Sequence, residues 1–201
     1  MMIEAEREDG QRLLALNEVF IGHQSHQSAR YRLRVGGDEE RQSSSGLICA
    51  TGTGGTGWAL SIARQRNLAE QLPAPEENRG AWFVREPFPS IHTKVSLDHG
   101  EISRASGLEV LSEMAEGGLA FADGIENDRI EFADGQTLRV RLAERKLALV
   151  VEVARATTRD RRSNRSAGSR NRGPSATRTL TRFLDPDAEP WHNGRAGGTP
   201  A

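Results

Sequence analysis

Two stretches of this sequence hold residue types suited to a charged, hydroxyl-rich ligand. Thr51-Gly52-Thr53-Gly54-Gly55-Thr56-Gly57 sets four glycines and three threonines between an apolar run, Leu47 to Ala50, and a segment that opens on Trp58 and continues with Leu60 and Ile62. Glycines let a ligand approach the main chain closely. A helix start turns unpaired N–H groups and a partial positive charge towards the turn before it, a setting that holds phosphates. Strand, Gly/Thr turn and helix together suggest a nucleotide-phosphate or ribose site; a tight turn without a ligand is the alternative. The second stretch is Asn17-Glu18, two polar residues inside the apolar run from Arg12 to Gly22. Buried polar groups need partners. An amide that donates and accepts, beside a carboxylate that accepts two hydroxyls, suits a ribose. A pair on the solvent face, or one satisfied internally, fits the same spelling.

Other candidates carry less. Gly52-x-Gly54-x-x-Gly57 spells the dinucleotide fingerprint, but that motif needs a second parallel strand ending in an acid about 20 residues on. The region from Asn67 to Asn78 holds prolines and no strand pattern. No Lys follows the glycines, which excludes a Walker A loop. His23 and His26 have a metal-like spacing without an evident third ligand, so a solvated loop is expected and no metal site. Gly36-Gly37-Asp38 reads as a turn. Cys49 lies in the apolar strand, where a buried, unreactive thiol is expected. Asp123-Gly124 at a strand end reads mostly as a turn and is a weaker candidate for lining a site.

The elements that must position these residues are mostly strands. Ala29 to Val35 alternates polar and apolar residues, the pattern of a half-buried strand. Pro73-Ala74-Pro75 stops helical structure after the Gly/Thr segment. Ala81 to Arg85 is a short strand. Further strands are expected over Lys94–Leu97, Glu101–Arg104, Leu108–Met114, Gly118–Ala122, Arg129–Phe132, Thr137–Leu142 and Leu147–Val153. Asp98-His99-Gly100, Glu116-Gly117-Gly118, Asp123-Gly124 and Asp134-Gly135 supply the turns. The fold class is mainly β: a β-sandwich-like domain with one main helix. An N-terminal extension (residues 1–11) precedes this domain (12–154), and an Arg-rich tail (155–201) follows it. The tail has few large apolar residues and reads as disordered.

Charge divides the chain. From Arg155 onward ten Arg stand against four acids, which leaves 17 of the 27 basic and 24 of the 28 acidic residues in 1–154. The tail offers phosphate contacts but no aromatic interleaving, so a nucleic-acid partner is not expected. One cysteine excludes an intramolecular disulfide and a Cys-rich metal site. The acidic N-terminus lacks the apolar core of a leader peptide. No apolar run approaches the ~20 residues of a membrane span, so a cytoplasmic protein without membrane contact is expected.

Taken together, Leu16-Asn17-Glu18 and, further on, Thr51-Gly52-Thr53-Gly54-Gly55-Thr56-Gly57-Trp58 resemble the NAD kinase family, specifically its C-terminal domain. That family typically has L-N-E and then T-P-T-G-S-T-A-Y. The spelling T-G-T-G-x-x-x-W, with Ser44-Ser45-Gly46 ahead of it, looks nearest the mitochondrial-type branch and its bacterial relatives. The similarity runs from about Leu14 to Val153 and includes G-L-A-F-A-D-G, ending at Gly124. The resemblance implies transfer of a phosphoryl group from ATP, with Mg2+, to the 2′-hydroxyl of NAD, giving NADP. It implies that Asn17, Glu18, Thr53, Thr56, Gly57, Trp58 and Ser61 line the NAD site. Trp58 keeps a stacking face but lacks the acceptor oxygen of the family's Tyr. Ser45-Gly46 stands where the commoner branch has Asp-Gly.

The family's general base is the Asp of a G-G-D-G motif in an α/β domain ahead of L-N-E. Here Gly36-Gly37-Asp38 is followed by Glu39-Glu40 and comes after Asn17-Glu18. No catalytic residue is therefore assigned, and that N-terminal α/β domain is expected to be missing. A truncated or split gene product, a two-chain enzyme completed in trans by a separate α/β protein, and a non-catalytic nucleotide-binding module or partner subunit all fit. The resemblance also implies a homo-oligomer.

Overall fold

The computed structural model describes residues 1–148. Among these residues, twelve strands form two antiparallel six-stranded sheets. The first sheet contains β1 (Ile3–Arg7), β2 (Arg12–Ala15), β4 (Ala29–Val35), β5 (Asp38–Ser44), β9 (Leu108–Ser112) and β12 (Thr137–Leu142), in the order β2-β1-β12-β9-β4-β5. The second contains β3 (Glu18–His23), β6 (Leu47–Thr51), β7 (Gly80–Val84), β8 (His99–Ile102), β10 (Gly118–Ala122) and β11 (Arg129–Glu131), in the order β11-β10-β3-β6-β7-β8. One α-helix, α1 (Trp58–Gln65), joins β6 towards β7.

The two sheets differ in how many faces they bury. Strands β1, β4 and β12 alternate buried and open residues, so one face packs and the other meets water. Ile3, Ala5, Tyr31, Leu33, Val110, Leu138 and Val140 point inward against Val19, Ile21, Leu47, Cys49, Trp82 and Val84 of the second sheet. Strands β6 and β7 are buried along their whole length. Their second face carries Ile48, Ala50, Ala81 and Phe83, which meet Ala59 and Ala63 of α1. Small residues on that side of the helix let it lie close to the sheet. Cys49 is fully buried, and burial pushes its thiol pKa well up, as expected for an inert structural residue.

Several expectations meet a different structure. The N-terminal segment set apart as an extension contains β1, which pairs with both β2 and β12 and buries Ile3 and Ala5. The run from Arg12 to Gly22 is two strands in two sheets, bent at Leu16-Asn17. Strand β5 (D-E-E-R-Q-S-S) shows no apolar alternation, yet it pairs with β4 along its whole length and buries Glu40, Gln42 and Ser44. Lys94–Leu97 is irregular. The Glu40 carboxylate accepts the Ser96 and Leu97 N–H groups at 3.0 and 3.2 Å, replacing a strand ladder with a side chain. His99-Gly100 is strand rather than turn: it pairs with β7, and a Cβ on Gly100 would stand 2.8 Å from the Trp82 ring, so glycine is what lets the two strands lie together. The strand expected over Leu147–Val153 lies largely outside the described residues, and the tail from Arg155 wholly so.

Candidate functional site

The Asn17-Glu18 pair lies where the chain leaves one sheet and enters the other. Amides at such a corner can join neither ladder and need other acceptors. Asp123, just past β10, supplies them. Its carboxylate accepts the N–H groups of Leu16 at 2.9 Å, Asn17 at 2.7 Å and Glu18 at 3.2 Å. Its own N–H donates to the Glu18 carbonyl at 2.9 Å. Asp123 has φ 52 and Gly124 φ 74, a left-handed turn that Asp tolerates better than most residues.

The Gly/Thr turn is built against the other side of this corner. The Thr51 N–H donates to the Asn17 carbonyl at 2.8 Å, and the Thr51 hydroxyl donates to the Leu16 carbonyl at 2.5 Å. The Gly54 N–H returns to the Thr51 Oγ1 at 3.2 Å. None of the four glycines has a positive φ. Gly52 and Gly54 are needed for close approach instead, and to the protein's own backbone. A Cβ on Gly54 would stand 2.2 Å from the Asn17 carbonyl oxygen, and one on Gly52 2.0 Å from that of Ala74. Gly57 caps α1 without any side-chain hydrogen bond, so the first N–H groups of the helix meet no capping side chain.

Beyond the corner, strand alternation sets the chemistry of the face. Val19 and Ile21 belong to the inter-sheet core, so Glu18 and Phe20 point to the opposite side. Phe121 stands across from Phe20 in the ladder, with ring centres 5.0 Å apart. Trp58 leans over Phe20 at 5.8 Å and is 43% exposed. The Arg85 guanidinium lies 5.2 Å over the indole, so one side of the expected stacking face already carries a cation. Its acidic neighbour, exposed Glu86, is 3.7 Å away. The result is an aromatic shelf of which only Trp58 is exposed, Phe20 and Phe121 being buried, with Arg85 and Glu86 beside the indole.

Asn17 and Glu18 are half-buried, as is Thr53; Thr56, Gly57, Trp58 and Ser61 are exposed. The corner meets the turn through Gly54 and meets Trp58 through Phe20, while Ser61 lies one helical turn beyond Gly57. Burial raises the Glu18 carboxyl above its ordinary pKa, and the Asp123 charge adds to this. A carboxylate in that position gains from any hydroxyl donor brought to it.

The remaining candidates fall elsewhere. Gly36 (φ 59) and Gly37 (φ 99) make the two-residue turn of the β4–β5 hairpin, with Val35 opposite Asp38. His23 and His26 line one cleft of about 540 Å3 with Arg30 and Glu113. Among the described residues no three His, Cys, Asp or Glu are grouped to hold a metal ion. No helix among them is long and apolar enough to cross a membrane.

The fold is similar to that of solved NAD kinases. An NAD kinase from Archaeoglobus fulgidus, solved in complex with ATP, superposes with a TM-score of 0.50 at 23% identity, over 71% of this chain and 51% of that one. Yeast NADH kinase, solved in complex with NADH, gives a TM-score of 0.52 at 17% identity, over 70% of this chain and 38% of that one. The chain thus spans about half the length of one and under two fifths of the other. No protein-family model matches it, and no curated protein does. The mainly β architecture with one helix is that of the matched part of these structures.

Sequence reasoning missed the shelf itself. Phe20 was within reach, since it lies two residues past Glu18 on the same strand face. Phe121 and Arg85 were not, because only the pairings of β10 with β3 and of β6 with β7 bring them there.

Proposed function

We propose that this chain is an NAD kinase-family protein whose residues form the dinucleotide-binding half of the site. In the complete enzyme, ATP and Mg2+ would phosphorylate the 2′-hydroxyl of NAD to give NADP. The observation that carries the reading is the Asn17-Glu18 corner seated on the Thr51–Gly57 turn, within a fold similar to NAD kinases. Asn17 and Glu18 take ribose hydroxyls, and the half-buried Glu18 carboxylate supplies the acceptor. Thr53, Thr56, Gly57 and Ser61 line the wall, and the exposed part of Trp58 meets a ring. The T-G-T-G spelling places the chain nearest the mitochondrial-type branch in this reading; a Cβ at Gly52 would meet the Ala74 carbonyl, so the packing here requires glycine.

In phosphoryl transfer the protein positions the groups and neutralises charge, and a base must reach the hydroxyl proton. These residues position the nucleoside. The 201 residues contain no G-G-D-G, and Gly36-Gly37-Asp38 is occupied in a hairpin. The base therefore comes from a separate α/β domain, or the chain acts as a non-catalytic nucleotide-binding module or partner subunit. Calorimetry of the purified chain with NAD tests the reading: saturable binding is expected, and its absence overturns the proposal. An assay with ATP, Mg2+ and NAD then separates the two forms. Little NADP is expected from the chain alone, and robust formation would place a base within it.

A further inference from the structure

We propose that Asp123 is the positioning residue of this site: one carboxylate that holds the Asn17-Glu18 corner and, through it, the Gly/Thr turn, as a single unit. The ligand part rests on the dinucleotide reading above; the clamp does not. Strand β10 pairs with β3 up to Ala122 opposite Val19. Asp123 adds one further bond, to the Glu18 carbonyl, and then turns away at φ 52. Its carboxylate is thereby brought beneath three successive N–H groups, those of Leu16, Asn17 and Glu18.

The restraint passes onward through the main chain. With the Asn17 and Glu18 N–H groups held, the Leu16 and Asn17 carbonyls that share those peptide planes are oriented at Thr51, whose hydroxyl and N–H they accept. Thr51 in turn fixes Gly54, and Gly54 lies directly on the Asn17 carbonyl. Five residues of two separate elements share one anchor, and the anchor acts through them rather than on a ligand. A carboxylate suits the task because both of its oxygens accept and neither donates. Asn at this position keeps the shape and the left-handed turn, but its NH2 would face an N–H.

Asp123→Asn, Asp123→Ala and a control, Leu138→Ala in the core of the other sheet, test this by site-resolved hydrogen exchange and by NAD calorimetry. Losing charge-assisted bonds at the corner should speed exchange at the 16–18, Thr51 and Gly54 amides about tenfold in Asp123→Asn and further in Asp123→Ala. Leu138→Ala should lower global stability without selecting those amides. The NAD Kd should rise about tenfold in Asp123→Asn and stay within about twofold in Leu138→Ala. Unchanged protection at those amides in Asp123→Asn overturns the clamp. Raised exchange with an unchanged NAD Kd overturns the positioning role. A wild-type chain that does not bind NAD sinks the dinucleotide reading and the ligand part with it, and the exchange data still decide the clamp.

Discussion

The outer faces of the two sheets use carboxylates in opposite ways. On the first sheet, Arg32 and Arg34 meet Glu39, Arg34 and Arg139 meet Glu109, Arg32 and Arg41 meet Glu113, and Arg12 and Arg141 meet Glu6. The guanidiniums of Arg12, Arg34 and Arg34 in turn hold Glu6, Glu39 and Glu109 below their ordinary pKa; at Glu113 burial pushes up, but Arg41 and Arg32 outweigh it. On the second sheet Glu18 moves the other way, raised by burial and by Asp123. The first face is a water-facing lattice whose charges are already matched. The second keeps Glu18 beside aromatic rings with no guanidinium to lower its pKa.

The largest expected difference between the faces concerns bulk. Phe20→Ala empties the shelf between Phe121 and Trp58 and should cost about 3–5 kcal/mol by urea unfolding, with weaker NAD binding. Gly54→Ala comes next: the added Cβ must push the Asn17 carbonyl aside, costing about 1–3 kcal/mol. NAD affinity should fall more than that loss of stability alone would produce, because the two halves of the site separate. Calorimetry beside unfolding curves measures both; full binding in Gly54→Ala would mean that the corner and turn are not one unit.

Charge changes should be smaller and of opposite sign on the two faces. Glu18→Gln should raise stability slightly at pH 7 and weaken NAD binding about tenfold. The sign follows from linkage. A carboxyl whose folded pKa is raised contributes most when protonated, below its unfolded value near 4.5, and that contribution is lost as pH rises through the folded pKa. The variant should therefore overtake the parent as pH climbs past that point, and an unchanged difference between pH 4 and 7 would argue against it. The lattice glutamates, with lowered pKa values, contribute above the unfolded value near 4.5 and lose that contribution as pH falls through their folded values. Arg34→Ala should change stability only slightly, by an amount that shrinks with salt, and should leave NAD binding unchanged.

Much of this molecule was legible in its residues. Strands Ala29–Val35, Gly118–Ala122 and Thr137–Leu142 coincide with β4, β10 and β12, because alternating apolar residues and turn-forming Gly and Asp are local signals. The two stretches proposed to form a site were readable in the same local way, since residue types and chain order suffice to suggest them. Strand β5 was not, since its buried Glu40, Gln42 and Ser44 become inward-facing only through pairing with β4. The glycines were recognised but their task was not: they yield to Asn17 and Ala74, which lie 37 and 22 residues from Gly54 and Gly52 in sequence. Asp123 shows the division most clearly. Its side chain and its turn were readable from Asp123-Gly124, whereas the three amides that it holds lie more than 100 residues away. Local spelling determined which groups this chain could present to a ligand. Which of them share one anchor was decided only when β10 paired with β3, because hydrogen bonds are specified by position in space and not by separation along the chain.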